Sequence, residues 1–358
     1  MVDTRFKSDN IMMKRLYGID LYKALAMLMV VMLHIMGRGG VTEACVAYGS
    51  HSFIYIFEQL FYNVCMCSVD CFVLATGFLM IGRSIKVKRI VYLWLQVVFY
   101  SLLMTGIACF FFPSVNISVL DWVKAIMPLT YEQYWFVTAY VGLFFTIPVL
   151  NRVFVGLDQK DAFKYLAGGF VLLSLFPSII GRDVFKTSFG YSYLWFIYLF
   201  MLGGGIRQYE VWKKIHFGKS VIFFMISLIA AFSLQVLWKP IVKLLGSEIV
   251  WGQYTSPFIL IEAIALLVMF AKIQITSQRM QAIIGYIAPS IFAVYVLHSN
   301  GVFRRMIDWN GKFCSLADYG VVGVIVGIIL VALIIFIASI IIDIIRRYVV
   351  NYLFGRIL

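Results

Sequence analysis

The sequence predicts an all-α integral membrane protein, a bundle of about ten transmembrane helices with both termini in the cytoplasm. Three observations carry this. Of the 358 residues, 63% are hydrophobic and 13% charged, with a mean hydropathy of +0.94, whereas a soluble domain is roughly half apolar and a quarter charged. Apolar runs close to the ~20 residues that cross hydrocarbon recur from end to end. Such runs must be helical, because in lipid the backbone polar groups find partners only within the segment. Finally, Lys and Arg alternate in density between successive loops, as they do when cytoplasmic loops collect positive charge.

Taken in order, hydropathy places the spans at Gly18–Gly37, Phe57–Ile81, Ile90–Phe111, Tyr134–Val155, Phe163–Gly181, Tyr191–Ile206, Val221–Leu237, Pro257–Ile273, Ile283–His298 and Tyr319–Ile345. The second sits in an apolar region that begins near Ser52. The sixth is short and ends in three glycines, which predicts a tightly packed or partly broken helix. Counted from a cytoplasmic N-terminus, 20 of the 30 Lys and Arg residues fall in inner segments and 9 in outer loops, with Lys23 inside the first span. Residues 18–345 therefore form the bundle of one membrane domain, 1–358, and no fused soluble domain is expected.

The net charge of +13 is split among short loops, where it sets topology and meets anionic headgroups. No nucleic-acid partner is expected. The first apolar run is too long for a signal-peptide core and lacks a small-residue cleavage site, so it stays as an anchor. Six cysteines show no metal-binding spacing with the histidines, and no metal is expected. Cys65, Cys67 and Cys71 read as small apolar packing in the second span. Cys45 and Cys314 are both outside, which leaves a disulfide between them open.

The first span, GIDLYKALAMLMVVMLHIMG, carries Asp20, Lys23 and His34. Charged groups at bilayer depth are expensive and usually face the protein interior. Lys23 and His34 are eleven residues apart, close to three turns, so they share a face about 16 Å apart along the axis. Asp20 precedes Lys23 by three and pairs with it. One reading makes Lys23 and His34 interfacial anchors; the other makes His34 a general base, since imidazole takes a proton near neutral pH. His298 closes the ninth span on the same outer side as His34, with a role in helix contacts or the site. Asp70 in the second span and Glu262 in the eighth are carboxyls that need polar partners.

These residues resemble the membrane-bound acyltransferase-3 family. The pattern of a basic residue, ten others and then histidine in KALAMLMVVMLH is similar to that family's first-helix motif, preceded by its acidic residue in GIDLYK. DCFVLATGFLM, YWFVTAYVGLFFTIPVLN and SIFAVYVLHS are similar to further family stretches in spans two, four and nine, and the resemblance covers nearly the whole chain. It implies transfer of an acetyl or other short acyl group from acyl-coenzyme A to a hydroxyl of a cell-surface polysaccharide, glycolipid or related envelope molecule. The family's catalytic histidine carries over to His34 and its basic partner to Lys23. Lys88 and Arg89 stand where the family often has two arginines three apart, and with Lys23 they are expected to bind the donor. Asp20, Asp70 and His298 are expected to support the site, and Trp135 and Tyr140 to line the acceptor path. Acetyl-coenzyme A enters as a co-substrate with no bound cofactor, in a multi-pass protein of the cell membrane that contacts lipid, its oligomeric state left open. The alternative from another class is a proton-coupled transporter or flippase, served by the same buried titratable groups.

Overall fold

The computed structural model describes residues 15–247 and 250–354, and they contain no strand. Seventeen α-helices follow one another among them: α1 (Tyr17–Met36), α2 (Val41–Ala47), α3 (Phe53–Met66), α4 (Ser68–Met80), α5 (Val87–Phe111), α6 (Val119–Ile126), α7 (Trp135–Val155), α8 (Gln159–Phe170), α9 (Phe176–Ile180), α10 (Tyr193–Gln208), α11 (Val211–Lys214), α12 (Phe217–Leu244), α13 (Pro257–Ala271), α14 (Gln278–Ile287), α15 (Ile291–His298), α16 (Gly301–Met306) and α17 (Gly320–Phe354). Eight helical stretches are long and apolar enough to cross a membrane. The other two expected spans are α10 and α13, of 16 and 15 residues. At 1.5 Å per residue each falls short of the ~30 Å hydrocarbon thickness, and both lie packed inside the bundle.

Burial sorts the helices into an inner and an outer set. In their apolar windows, 67% of α1 and 72% of α3–α4 are buried, against 22% for each of α8–α9, α12 and α17. The inner set is α1, α4, α10, α13 and α15, which pack on one another. The outer set turns large apolar side chains such as Phe110, Leu330 and Ile334 outward, the arrangement expected of a lipid-facing surface.

Several breaks have visible causes. The second span is two helices, capped at Ser52 and interrupted at Cys67. The fifth widens through a π turn at Val171–Leu175 just before Pro177, whose ring has no N–H to donate. The ninth breaks at a 3₁₀ turn, Ala288–Ser290, that contains Pro289, and α15 restarts against α1 and α17.

The three glycines of the sixth span serve packing. A Cβ on Gly203 would sit 2.2 Å from the Leu74 carbonyl oxygen, and one on Gly77 would sit 2.0 Å from the Phe200 carbonyl oxygen. Helices α4 and α10 therefore cross backbone to backbone, as small residues permit in membranes.

At one end of the bundle, Arg347 donates to the Tyr286 carbonyl at 2.9 Å, and Arg15 lies beside Gly285 of the same helix. The start of α1 and the end of α17 thus meet on one face, as an even number of crossings requires. The basic residues Arg5, Lys7, Lys14 and Arg356 of the expected inner segments lie outside the described residues. Cys45 and Cys314 are free thiols.

Candidate active site

Along α1 the three titratable groups of the first span occupy two sites at opposite ends. Asp20 is buried in the first turn and accepts from Arg15 Nε at 2.7 Å and from Lys23 Nζ at 3.0 Å. His34, fourteen residues on and thus about 21 Å away along the axis, takes no part in that cluster. Its partner is His298: the His34 Nδ1 to His298 Nε2 distance is 3.0 Å, with ring centroids 5.0 Å apart.

The protonation pattern of the pair follows from its third member. His298 Nδ1 stands 2.5 Å from the Val294 carbonyl oxygen, one helical turn back. A carbonyl only accepts, so this nitrogen carries the proton. In the neutral imidazole Nε2 is then an acceptor, and His34 Nδ1–H donates to it. The remaining lone pair of His34 is on Nε2, the nitrogen left for a substrate. Ser299 Oγ is a longer neighbour of His298 Nε2, at 3.4 Å. The Trp309 indole donates to the His34 backbone carbonyl at 3.2 Å and lies against His298, with centroids 6.5 Å apart. The last turn of α1 is thereby pinned by a side chain from the loop after α16.

His34 borders a cavity of about 190 Å³ whose walls include Arg38, Tyr62, Phe72, Trp135, Tyr191, Tyr254 and Tyr295. Trp135 packs on Tyr191 at 4.5 Å between centroids and stacks on Tyr254 at 6.2 Å. Tyr140 is not among the lining residues; it stacks beneath Phe136, and its hydroxyl is 3.2 Å from Thr76 Oγ1. Asp70 is fully buried beside the cavity wall formed by Val69, and one of its oxygens accepts the Trp195 indole N–H at 2.9 Å. The structure therefore brings His34, His298 and Trp135 together, sets Asp70 and Tyr140 in the layer behind, and gives His34 an imidazole rather than a carboxylate as its orienting partner.

At the other end, Asp20 shares a second cavity of about 270 Å³ with Arg15, Arg83 and Arg207, floored by Phe78 and Leu79. Arg207 lies over the Phe78 ring at 5.0 Å. Asn151, at the foot of α7, clamps the α4–α5 turn that carries Arg83. Its amide donates to the carbonyls of Met80 and Arg83 at 3.2 and 3.0 Å and accepts the Gly82 N–H at 3.1 Å. Lys88 lies over Tyr92 at 5.3 Å, and Arg89 reaches the Met80 sulfur at 3.7 Å. Neither lines this cavity, nor does Lys23.

Sequence reasoning missed Arg38, Arg83, Arg207 and the tyrosines of the outer cavity. Arg38 had a signal, the spacing of four from His34. Arg83 and Arg207 had only the general one of basic residues at inner span ends. The tyrosines come from four separate segments and share no pattern along the chain.

With this geometry in place, comparison adds the wider context. The acyltransferase-3 family model, described as an acyltransferase domain, matches residues 16–344, nearly the whole chain. No curated protein matches, and no solved structure matches.

Proposed function

The chain belongs to the acyltransferase-3 family, and from that premise we propose that this multi-pass membrane protein is an O-acyltransferase. It moves an acetyl or other short acyl group from acyl-coenzyme A to a hydroxyl of a cell-surface polysaccharide, glycolipid or related envelope molecule. The observation that carries the reading is the His34–His298 pair, which leaves His34 Nε2 as a lone pair at the wall of an aromatic cavity. As the acceptor oxygen attacks the thioester carbon, Nε2 takes its proton. The tetrahedral intermediate then expels the thiolate, and the imidazolium returns the proton to sulfur. Each histidine ends neutral, ready for another turnover.

The donor's phosphates suit the inner cavity, where guanidinium forks of Arg15, Arg83 and Arg207 face a common space and match phosphate geometry. Lys23, Lys88 and Arg89 add positive charge to that end, and Asp20 holds Lys23 and Arg15 in place. Trp135 offers an aromatic face to a sugar acceptor, with Tyr140 supporting from behind. Such a route spans the membrane domain in the plasma membrane, the donor arriving from the cytoplasm.

The test is direct. Purified protein given radiolabelled acetyl-coenzyme A and envelope extract should move label onto a glycan or lipid, and His34→Ala should lower the rate by about 10²- to 10⁴-fold, the usual share of general-base catalysis. A folded His34→Ala protein with near-normal transfer sinks the assignment, and vesicle uptake of an unacylated precursor would point to a transporter.

A further inference from the structure

The His34 cavity has a neighbour on its flank. Trp135 and Tyr191, with ring centroids 4.5 Å apart, line the cavity that holds His34 and also a groove of about 260 Å³ between the start of α7 and the segment that enters α10. Glu132, Thr138, Ala139, Gly142 and Tyr193 complete the groove. Its chemistry changes along α7: the exposed Glu132 carboxylate stands at one end, and the small side of Ala139 and Gly142 forms the other. Gly142 leaves the groove its width, since a Cβ there would already stand 3.5 Å from the Tyr193 side chain.

Helix period says where the groove leads. Trp135, Thr138, Gly142, Phe145 and Val149 follow one another at steps of three and four residues and so share one face of α7. Gly142 lies about 10 Å along the axis from Trp135. Beyond it, Phe145 and Val149 are 66% and 61% exposed, as side chains that face lipid are. This face therefore begins at the wall of the reaction cavity and ends in apolar side chains turned toward the bilayer. On the other flank, Gly37 and Arg38 line the same cavity and are exposed at the end of α1, where water reaches it. Lipid tails are as apolar as a groove of this kind, so a chain gains little affinity by entering it. What the groove supplies is passage for a chain whose head is held at His34.

We infer that the acceptor is an amphiphile anchored in the membrane: its hydroxyl-bearing head meets His34, and its apolar chain leaves the cavity past Trp135 and Tyr191 and lies in the α7 groove. The inference rests on the acyl-transfer reading for the identity of the reacting hydroxyl, while the seat of the chain can be measured without catalysis. Of the acceptors proposed above it selects those still attached to lipid. A free glycan enters from the water side and leaves the groove unused.

The purified full-length chain in lipid nanodiscs is given radiolabelled acetyl-coenzyme A with either the organic-extractable or the water-soluble fraction of an envelope extract. Label should enter the organic-extractable fraction faster, by about tenfold or more, as a difference in access between two acceptors reads. Gly142→Leu, with Thr138→Trp as a second variant, fills the groove and should erase that preference by slowing only the lipid-linked acceptor. Gly168→Leu, where nothing lies within 4 Å, should leave it intact, and the unfolding midpoint checks that each variant is folded. Faster transfer to the water-soluble fraction, a preference untouched in the folded groove variants, or equal losses with both fractions overturns the proposal. Binding is read separately with dodecyl glucoside that carries a diazirine at the end of its chain. On irradiation it should label the groove residues of α7 and the first turn of α10, and less so in Gly142→Leu. Labelling no denser there than on the outward faces of α12 and α17 means an annular amphiphile only, which overturns it. Groove labelling without acyl transfer to either fraction removes the enzymatic reading and leaves the amphiphile site standing.

Discussion

Whether His34 acts as a base depends on which ring nitrogen holds its proton, and that is decided by a residue 264 positions away. His298 donates its own Nδ1–H to the Val294 carbonyl and so offers only a lone pair to His34. In His298→Ala the His34 tautomer is no longer fixed, and kcat should fall on the order of 10- to 100-fold, within the range of an oriented base, with little change in donor KM. His298→Gln supplies an amide oxygen that accepts the same N–H and should recover part of the loss. An unchanged kcat/KM pH profile in both variants would contradict this positioning role. The spacing from Lys23 to His34 was legible because helix period is a property of one segment. The His34–His298 contact was legible only as two histidines on the same outer side.

At the scale of single elements, two local devices hold the site in shape. One is the glycine crossing of α4 and α10. Gly203→Leu forces a side chain into the Leu74 backbone and should destabilise by at least the roughly 1–3 kcal/mol of overpacking. Gly218→Leu, where nothing lies within 4 Å, should be near neutral. Detergent-solubilised yield and unfolding midpoint distinguish the two, and equal midpoints would refute the close crossing. The other device is the Asn151 clamp. Asn151→Ala frees the turn that carries Arg83, so the donor KM should rise severalfold while kcat at saturating donor stays within about twofold, the pattern of lost uniform binding. A fall in kcat with KM unchanged would mean that the clamp serves the reaction centre instead. The GGG run announced tight packing in the sequence, but its partner helix did not follow from it. Asn151 stood inside a recognisable stretch of span four, with no sign that it gripped the loop before span three.

At the scale of the whole molecule, the two cavities open toward opposite ends of one bundle, and the charge asymmetry predicts which end is cytoplasmic. With the exposed Cys109 and the half-buried outer Cys314 both replaced, a cysteine introduced as Lys312→Cys should react with a membrane-impermeant maleimide in intact cells. Lys214→Cys should react only after permeabilisation. The reverse pattern would invert the topology and put the arginine-lined cavity on the wrong side for a cytosolic donor. The outer amphipathic helix α6, locked to α16 by Arg305 and Asp121, belongs to this scale as well. Burial and hydrogen bonds from Ser118 act on Asp121 in opposite senses; together with Arg305 the net effect lowers its pKa, so the lock persists throughout mildly acidic pH and loosens only below the ordinary carboxylate range, where Asp121 protonates.

By itself the sequence determined that the chain is a membrane-spanning helical bundle, that its ends lie on one side, and that α1 carries a cation and an imidazole on one face. Those properties depend on composition, on helix period and on loop charge, all of which are local along the chain. Tertiary structure alone decided that His34 meets His298, that tyrosines from four segments wall the same cavity, and that Arg83 and Arg207 converge with Arg15. These are contacts between segments far apart in sequence. They depend on how ridges, glycines and proline breaks let the helices cross, and no periodicity within one helix records its neighbours.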